Sequence, residues 1–258
     1  MSTQTIAHKN EKKSLLNEPV IVVSDLKKSF GEHDVLTGFN LTLNKGETIV
    51  VLGKSGSGKS VLIKCIIGLM TPDEGKITVL GNDVSTLNRQ DMDKLRMRVG
   101  FLFQSNALYD SMTIRENLEF PMRRHLAKMN AEETERRIIE TLTDVGLAHT
   151  IDMLPEELSG GMQKRVALAR TLILNPEIIL YDEPTTGLDP ITGLEISRLI
   201  VEIQEKYQTS SIVISHDMRC VAETADRIAV LLQGKCYTLG TYDELKNSDD
   251  KMIKQFFD

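Results

Sequence analysis

The chain has 258 residues, with 31 Lys and Arg against 37 Asp and Glu, for a net charge of −6. A chain of this length buries a full core and suits one large domain, or one domain with a lobe inserted. Its acidic balance gives no electrostatic footprint for nucleic acid, which usually needs a basic face, so no nucleic-acid partner is expected, and no run matches the roughly 18 apolar residues of a membrane span.

Residues 1–18 are polar and mixed in charge, without the apolar stretch of a signal peptide, and are expected to be a disordered extension. From Val20 to Leu52 the pattern is strand-like, with "VIVVS", alternation through Phe39, Leu41 and Leu43, a turn at Lys45-Gly46, and then "TIVVL". An antiparallel layer feeding a buried strand is expected. Leu62, Cys65, Ile66 and Leu69 then fall on one helical face, which "TPDEG" ends. Short apolar runs recur at "VGFLF" (99–103), "IIL" with Tyr181 (178–181), "SIVIS" (211–215) and "IAVLL" (228–232), the form taken by parallel strands buried on both faces. Between the first two lies a charged, helix-forming stretch that includes "AEETERRIIETLTDV" (131–145). The expected fold is therefore an α/β core of residues 19–240 with a helical lobe at about 109–158 and a helical tail at 241–258. Cys65, Cys220 and Cys236 are widely spaced and odd in number, and read as small apolar residues in a reducing cytosol.

The chemistry concentrates at strand ends. Gly53-Lys54-Ser55-Gly56-Ser57-Gly58-Lys59-Ser60, followed by Val61, is a P-loop between a strand and a helix. Its glycines let the backbone curl round a β-phosphate, Lys59 reaches the β- and γ-oxygens, and the Ser60 hydroxyl suits Mg²⁺. "IILYDEP" puts Asp182 and Glu183 at the end of a buried strand, where one carboxylate can hold Mg²⁺ and the other can polarise a water. Gln104 follows "VGFLF" and His216 follows "SIVIS", so four strands end in polar residues on the edge where open α/β sheets bind ligands. "LSGGMQKRVALAR" reads as a helix whose first turn, Ser159, Gly160 and Gly161, would face a second anion.

The P-loop, Gln104, "LSGGM", "LYDEPTTGLD" and "ISHD", in this order, resemble the ATP-binding subunit of an ABC transporter from about Val20 to Leu239. That resemblance implies a P-loop ATPase core with an N-terminal antiparallel layer and an inserted helical subdomain, using ATP and Mg²⁺. It implies that Phe30, in "KKSFG", stacks on adenine, that Gln104 senses Mg²⁺ and a membrane partner, that Glu183 is the catalytic base, and that His216 contacts the γ-phosphate. It further implies a head-to-tail dimer in which Ser159, Gly160, Gly161 and Met162 complete the partner's site, with Asp189 along the interface. The family signature usually ends in Gln where this chain has Met162, so the side-chain amide is absent at that position. "FLFQSNALYDSMTIRENLEFPMR" (101–123), Met162 and "LDPIT" (188–192) resemble the Mla-type ATPases, which drive phospholipid or hydrophobic-compound traffic with MCE proteins. The implied setting is peripheral, on the cytoplasmic face of the cell membrane, with permease subunits and an MCE-type lipid-binding protein as partners. The alternatives are the ATPase of an amino-acid importer or lipoprotein-releasing complex, a P-loop metabolic kinase, and a soluble ABC protein acting on DNA or ribosomes.

Overall fold

The computed structural model describes residues 18–126 and 129–257, so the expected extension ahead of residue 18 lies outside the described residues. Two long strands open the chain, β1 (Pro19–Phe30) and β2 (His33–Asn44), paired antiparallel, followed by β3 (Thr48–Leu52). β4 (Glu74–Val79) and β5 (Asn82–Asp83) complete a four-stranded layer in the order β2-β1-β4-β5. These two strands have no counterpart in the sequence reading, because the first half of β4 is exposed and β5 is two residues long.

The second sheet holds β6 (Val99–Leu102), β7 (Ile178–Asp182), β8 (Ser210–Ser215), β9 (Arg227–Leu232) and β10 (Lys235–Gly240), in the order β10-β9-β3-β8-β7-β6. Its inner pairs are parallel and β10 is an antiparallel edge. Each apolar run splits its side chains between two cores, as the two-residue period of a strand requires. Ile49, Val51, Leu180, Ile212 and Ile214 pack toward the antiparallel layer. Val50, Leu52, Ile179, Tyr181 and Val213 pack toward the helices. Through the central strands β3, β7 and β8 neither face of the sheet is left for water, while the edge strand β10 exposes one face.

Helix α1 (Lys59–Ile66) lies between the two sheets and buries Leu62, Ile63 and Ile66 completely, at about 1.5–3 kcal/mol each by area. Leu69 does not continue its face. Gly68 takes φ +65°, the left-handed conformation that ends helices, and Leu69 beyond it is 51% exposed. After α2 (Arg89–Arg98) and β6 come α3 (Ile114–His125) and α4 (Ala131–Asp144). Each of these two starts on a reciprocal cap, Thr113 with Glu116 and Asn130 with Glu133. They pack on α5 (Gly160–Leu172), the helix that begins at "LSGGM".

The remaining helices are α6 (Pro190–Tyr207), α7 (Met218–Thr224), α8 (Tyr242–Lys246) and α9 (Lys251–Lys254). Cys65 and Cys220 are buried and unbridged, and burial pushes the Cys65 thiol up to about 11. Among the described residues no helix is long and apolar enough to cross a membrane.

Candidate nucleotide site

The P-loop leaves β3 at Gly53 and enters α1 at Lys59. Gly58, the residue ahead of α1, sits at φ +101°, and a Cβ there would stand 2.6 Å from Val35 Cγ1, so both conformation and space require glycine. The Lys59 side chain is 6% exposed and folds back over the loop, its Nζ donating to Gly53 O at 2.8 Å and Lys54 O at 3.0 Å. The cleft above is walled by His33, Val35, Ser55, Gly56, Gly58, Lys59, Ser60, Val61, Gln104, Glu183 and His216. Four of the expected strand-end positions thus converge on one cavity. His33 and Val35, from β2, were not legible as site residues in the sequence.

Ser60 Oγ donates to Asp182 Oδ1 at 2.9 Å. Burial holds the Asp182 carboxyl above the usual carboxylate range, against the Ser60 hydrogen bond, and the neighbouring charge of Glu183 pushes the same way. Glu183 Oε1 lies 3.6 Å from Lys59 Nζ, and Oε2 is 2.8 Å from His216 Nδ1 and accepts from Thr186 Oγ1 at 3.3 Å. The backbone of Glu183 is at φ +49°, a conformation costing of order 1–3 kcal/mol in a non-glycine residue, and its N–H donates to Ile214 O at 3.0 Å. The strand end is therefore bent sharply just where its carboxylate turns into the cleft. Thr185 Oγ1 donates to Asp217 Oδ2 at 3.2 Å, fastening the loop after β7 to the loop that carries His216.

The other expected residues lie elsewhere. Phe30 is outside the cleft walls, 49% exposed, with Lys28 Nζ 5.6 Å from its ring centroid. Ser159 to Met162 are likewise absent from the walls. Ser159 caps α5, its Oγ accepting from Met162 N at 3.3 Å, which leaves the hydroxyl proton free to be given elsewhere. Gln163 Nε2 donates to Pro155 O and Leu158 O of its own loop, so it does not stand in for the missing amide at Met162. Asp189 caps α6, accepting from Ile191 N, Thr192 N and Thr192 Oγ1.

Gly161 has a packing reason of its own, since a Cβ there would stand 2.5 Å from Thr192 Cγ2. Thr192 is held by its bonds to Asp189 and cannot easily yield. Gly161→Ala is expected to cost about 1–3 kcal/mol, read as a lower denaturation midpoint, and Gly161→Ala with Thr192→Ser to recover most of it. No recovery in the double variant would mean that the methyl contact is not the cause.

Lys164 is a further residue the sequence did not single out. On α5 it is 2% exposed, and its Nζ donates to Gln104 O at 2.8 Å. Burial pushes its amine down to about 8, while the charge of Asp182 opposes the shift. Arg170, two turns on, donates to Asn106 O and Ala107 O.

The sequence profile of the family described as ABC transporter matches residues 36–186. The chain belongs to the ABC transporter family. With its P-loop between β3 and α1, it is that family's ATP-binding cassette. A dimeric post-hydrolysis structure of the ATP-binding cassette MJ0796, bound to ADP and Pi, matches with a TM-score of 0.78 at 32% identity, covering 86% of this chain and 98% of that one. The probable ribonucleotide transport ATP-binding protein mkl of Mycobacterium tuberculosis is 37% identical over 236 residues, which is 92% of this chain. The cassette spans 66% of the length of that relative. The intermembrane phospholipid transport system ATP-binding protein MlaF of Haemophilus influenzae is 36% identical over 241 residues, 93% of this chain and 91% of that protein.

Proposed function

We propose that two copies of this cassette pair head to tail, hold two ATP molecules between them, and hydrolyse them to drive a membrane permease that moves phospholipid or another hydrophobic compound. The observation that carries the ATPase reading is the cleft itself, where Lys59 and His216 both meet Glu183, and where Ser60 of the wall donates to Asp182 just behind it. Its walls contain nothing from Ser159 to Met162, which supports that helix start as the cap of a neighbour's nucleotide.

In this reading Lys59 turns from its loop carbonyls to the β- and γ-oxygens of ATP, and Phe30 stacks on adenine. The Ser60 hydroxyl and Asp182 carboxylate, with Gln104, are all-oxygen donors of the kind Mg²⁺ takes, and the ion, when bound, neutralises charge on the phosphate oxygens. Glu183 accepts a proton from the attacking water. His216, held to Glu183 through Nδ1, directs its other ring nitrogen to the γ-phosphate.

The cargo rests on the likeness to MlaF across nearly all of that protein's length, whereas mkl carries a ribonucleotide description. Mass spectrometry of the detergent-extracted complex should find phospholipid and an MCE-type subunit. A complex with a soluble-solute permease and no lipid-binding subunit overturns the cargo, not the ATPase.

The permease is expected to dock beside Gln104. A groove there is lined by Phe101, Phe103, Ala107, Tyr109, Phe120 and Arg170, with the exposed Tyr109 and Phe120 rings 5.0 Å apart. With Cys236 replaced by Ser, cysteines placed at Leu108 or Tyr109 should crosslink to a co-expressed permease. Crosslinks obtained only from the β9 side would reverse the orientation.

A further inference from the structure

Lys164 is a cation in an expensive place. A buried ammonium loses its hydration, and a Met of similar reach would fill the same space at no such cost. What the ammonium does there is hold a backbone carbonyl, Gln104 O at 2.8 Å, with the Asp182 charge near enough to oppose the effect of burial. It therefore stands behind Gln104, one of the residues proposed to serve Mg²⁺.

The helix that carries it makes the location consequential. α5 starts at Ser159, the residue offered to a neighbour's nucleotide, and Lys164 lies little more than a turn further on. Arg170, nearer its far end, donates to Ala107 O at 2.7 Å and Asn106 O at 3.1 Å. Asn106 and Ala107 are both left-handed, at φ +61° and +54°, a conformation that non-glycine residues hold only when fastened from outside. One helix thus grips the segment from Gln104 to Ala107 by three carbonyls at two separate points. α5 is buried on nearly every side, with Val166, Ala167, Leu168, Ala169 and Leu172 all within 1% exposure, so it moves as a body or not at all.

We infer that Lys164 is a positioning residue: by fixing the Gln104 carbonyl to α5, it makes the placement of Gln104 against one nucleotide and the presentation of Ser159 to the partner's nucleotide change together. This rests on the head-to-tail reading above. Without the ammonium, the hydrogen bonds left between the segment and the helix among the described residues are those of Arg170, and a filled P-loop no longer sets the angle of the Ser159 turn.

The test uses the full chain carrying Glu183→Gln, with Lys164→Met or Lys164→Gln added. Two quantities are measured: binding of a fluorescent ATP analogue to the dilute monomer, and the ATP concentration giving half-maximal dimer by light scattering. Lys164→Met should bind the analogue as its parent does, while the ATP needed for dimer rises about tenfold or more, the loss of one charged hydrogen bond. Lys164→Gln should fall between them, because its amide N–H still reaches toward the carbonyl, and it carries the comparison if the Met variant does not fold. Dimer formation by Lys164→Met at the parental ATP concentration overturns the inference. So does an equal loss of analogue binding and dimerisation, which would assign Lys164 to the stability of the fold alone. Ser159→Arg is measured alongside. If it blocks the dimer while Lys164→Met does not, only the role of Lys164 falls. If Ser159→Arg also dimerises normally, the head-to-tail reading falls with it.

Discussion

Glu183→Gln is expected to slow ATP hydrolysis by about 10²–10⁴-fold while leaving nucleotide binding intact, the size of effect that follows loss of a general base. The amide is nearly isosteric with the carboxylate, so the contacts at 2.8 Å to His216 Nδ1 and 3.3 Å to Thr186 Oγ1 can persist with one amide oxygen, and the bent backbone at φ +49° is unaltered. The cradle is untouched as well, since Lys59 still reaches Gly53 O and Lys54 O, and Ser60 still meets Asp182. Removing the charge 3.6 Å from Lys59 Nζ releases that amine for phosphate, so affinity for ATP should hold or rise. ATP that binds but does not react should accumulate in a closed dimer, visible by size exclusion or light scattering. Hydrolysis at the parental rate would remove Glu183 from the chemistry and leave Asp182 or His216 to be tested in its place.

A heterodimer of Lys59→Ala and Ser159→Arg is expected to trap ATP where neither parent homodimer does. Lys59→Ala removes the cation proposed to pair with the β- and γ-oxygens, and also the two bonds that hold the loop around Gly53 and Lys54. Ser159→Arg places a long cation on the exposed first turn of α5 and removes the hydroxyl that caps Met162 N. If the Ser159 turn served its own chain, each site of the mixed dimer would carry one defect and both would fail. If it serves the partner, both defects fall in one site and the other is whole. Mixed dimers purified through two different tags should therefore trap about one nucleotide per pair in the intact composite site, against none in the homodimers. Trapped nucleotide is the measurement to use, because it reports the intact site by itself whatever the other site does. Equal trapping by mixed and parent dimers would end the in-trans assignment, leaving the P-loop assignment to be tested by the affinity of Lys59→Ala alone.

The expected effects differ in how far their causes were visible in the order of residues. The P-loop, Asp182, Glu183, Gln104 and His216 are strand-end positions, and a strand end is a local event. An apolar run whose two faces are both buried must lie inside a sheet, so the polar residue that follows it has to emerge at the carboxyl edge. Five such runs were readable, and four of their ends line one cleft in the structure. Short or exposed elements left no such trace. β4 and β5 leave no periodic signal because half of one is solvated and the other is too short to alternate, and helical spacing carries Leu69 onto the face of α1 because it says nothing of the left-handed Gly68 that ends the helix.

What the sequence determined by itself was the chemistry available at each strand end, since residue type and the flanking apolar period fix both. What only the tertiary structure decided was which of these groups touch. Glu183 meets Lys59 and His216 because β7 lies beside β8 and β8 beside β3, an order set by packing across the sheet and by no local signal. Lys164 is the sharpest case. A lysine in a helix is ordinarily assigned to the solvent face, and here α5 is covered on so many sides by the sheet, α3, α4 and α6 that its ammonium has a backbone carbonyl in place of water.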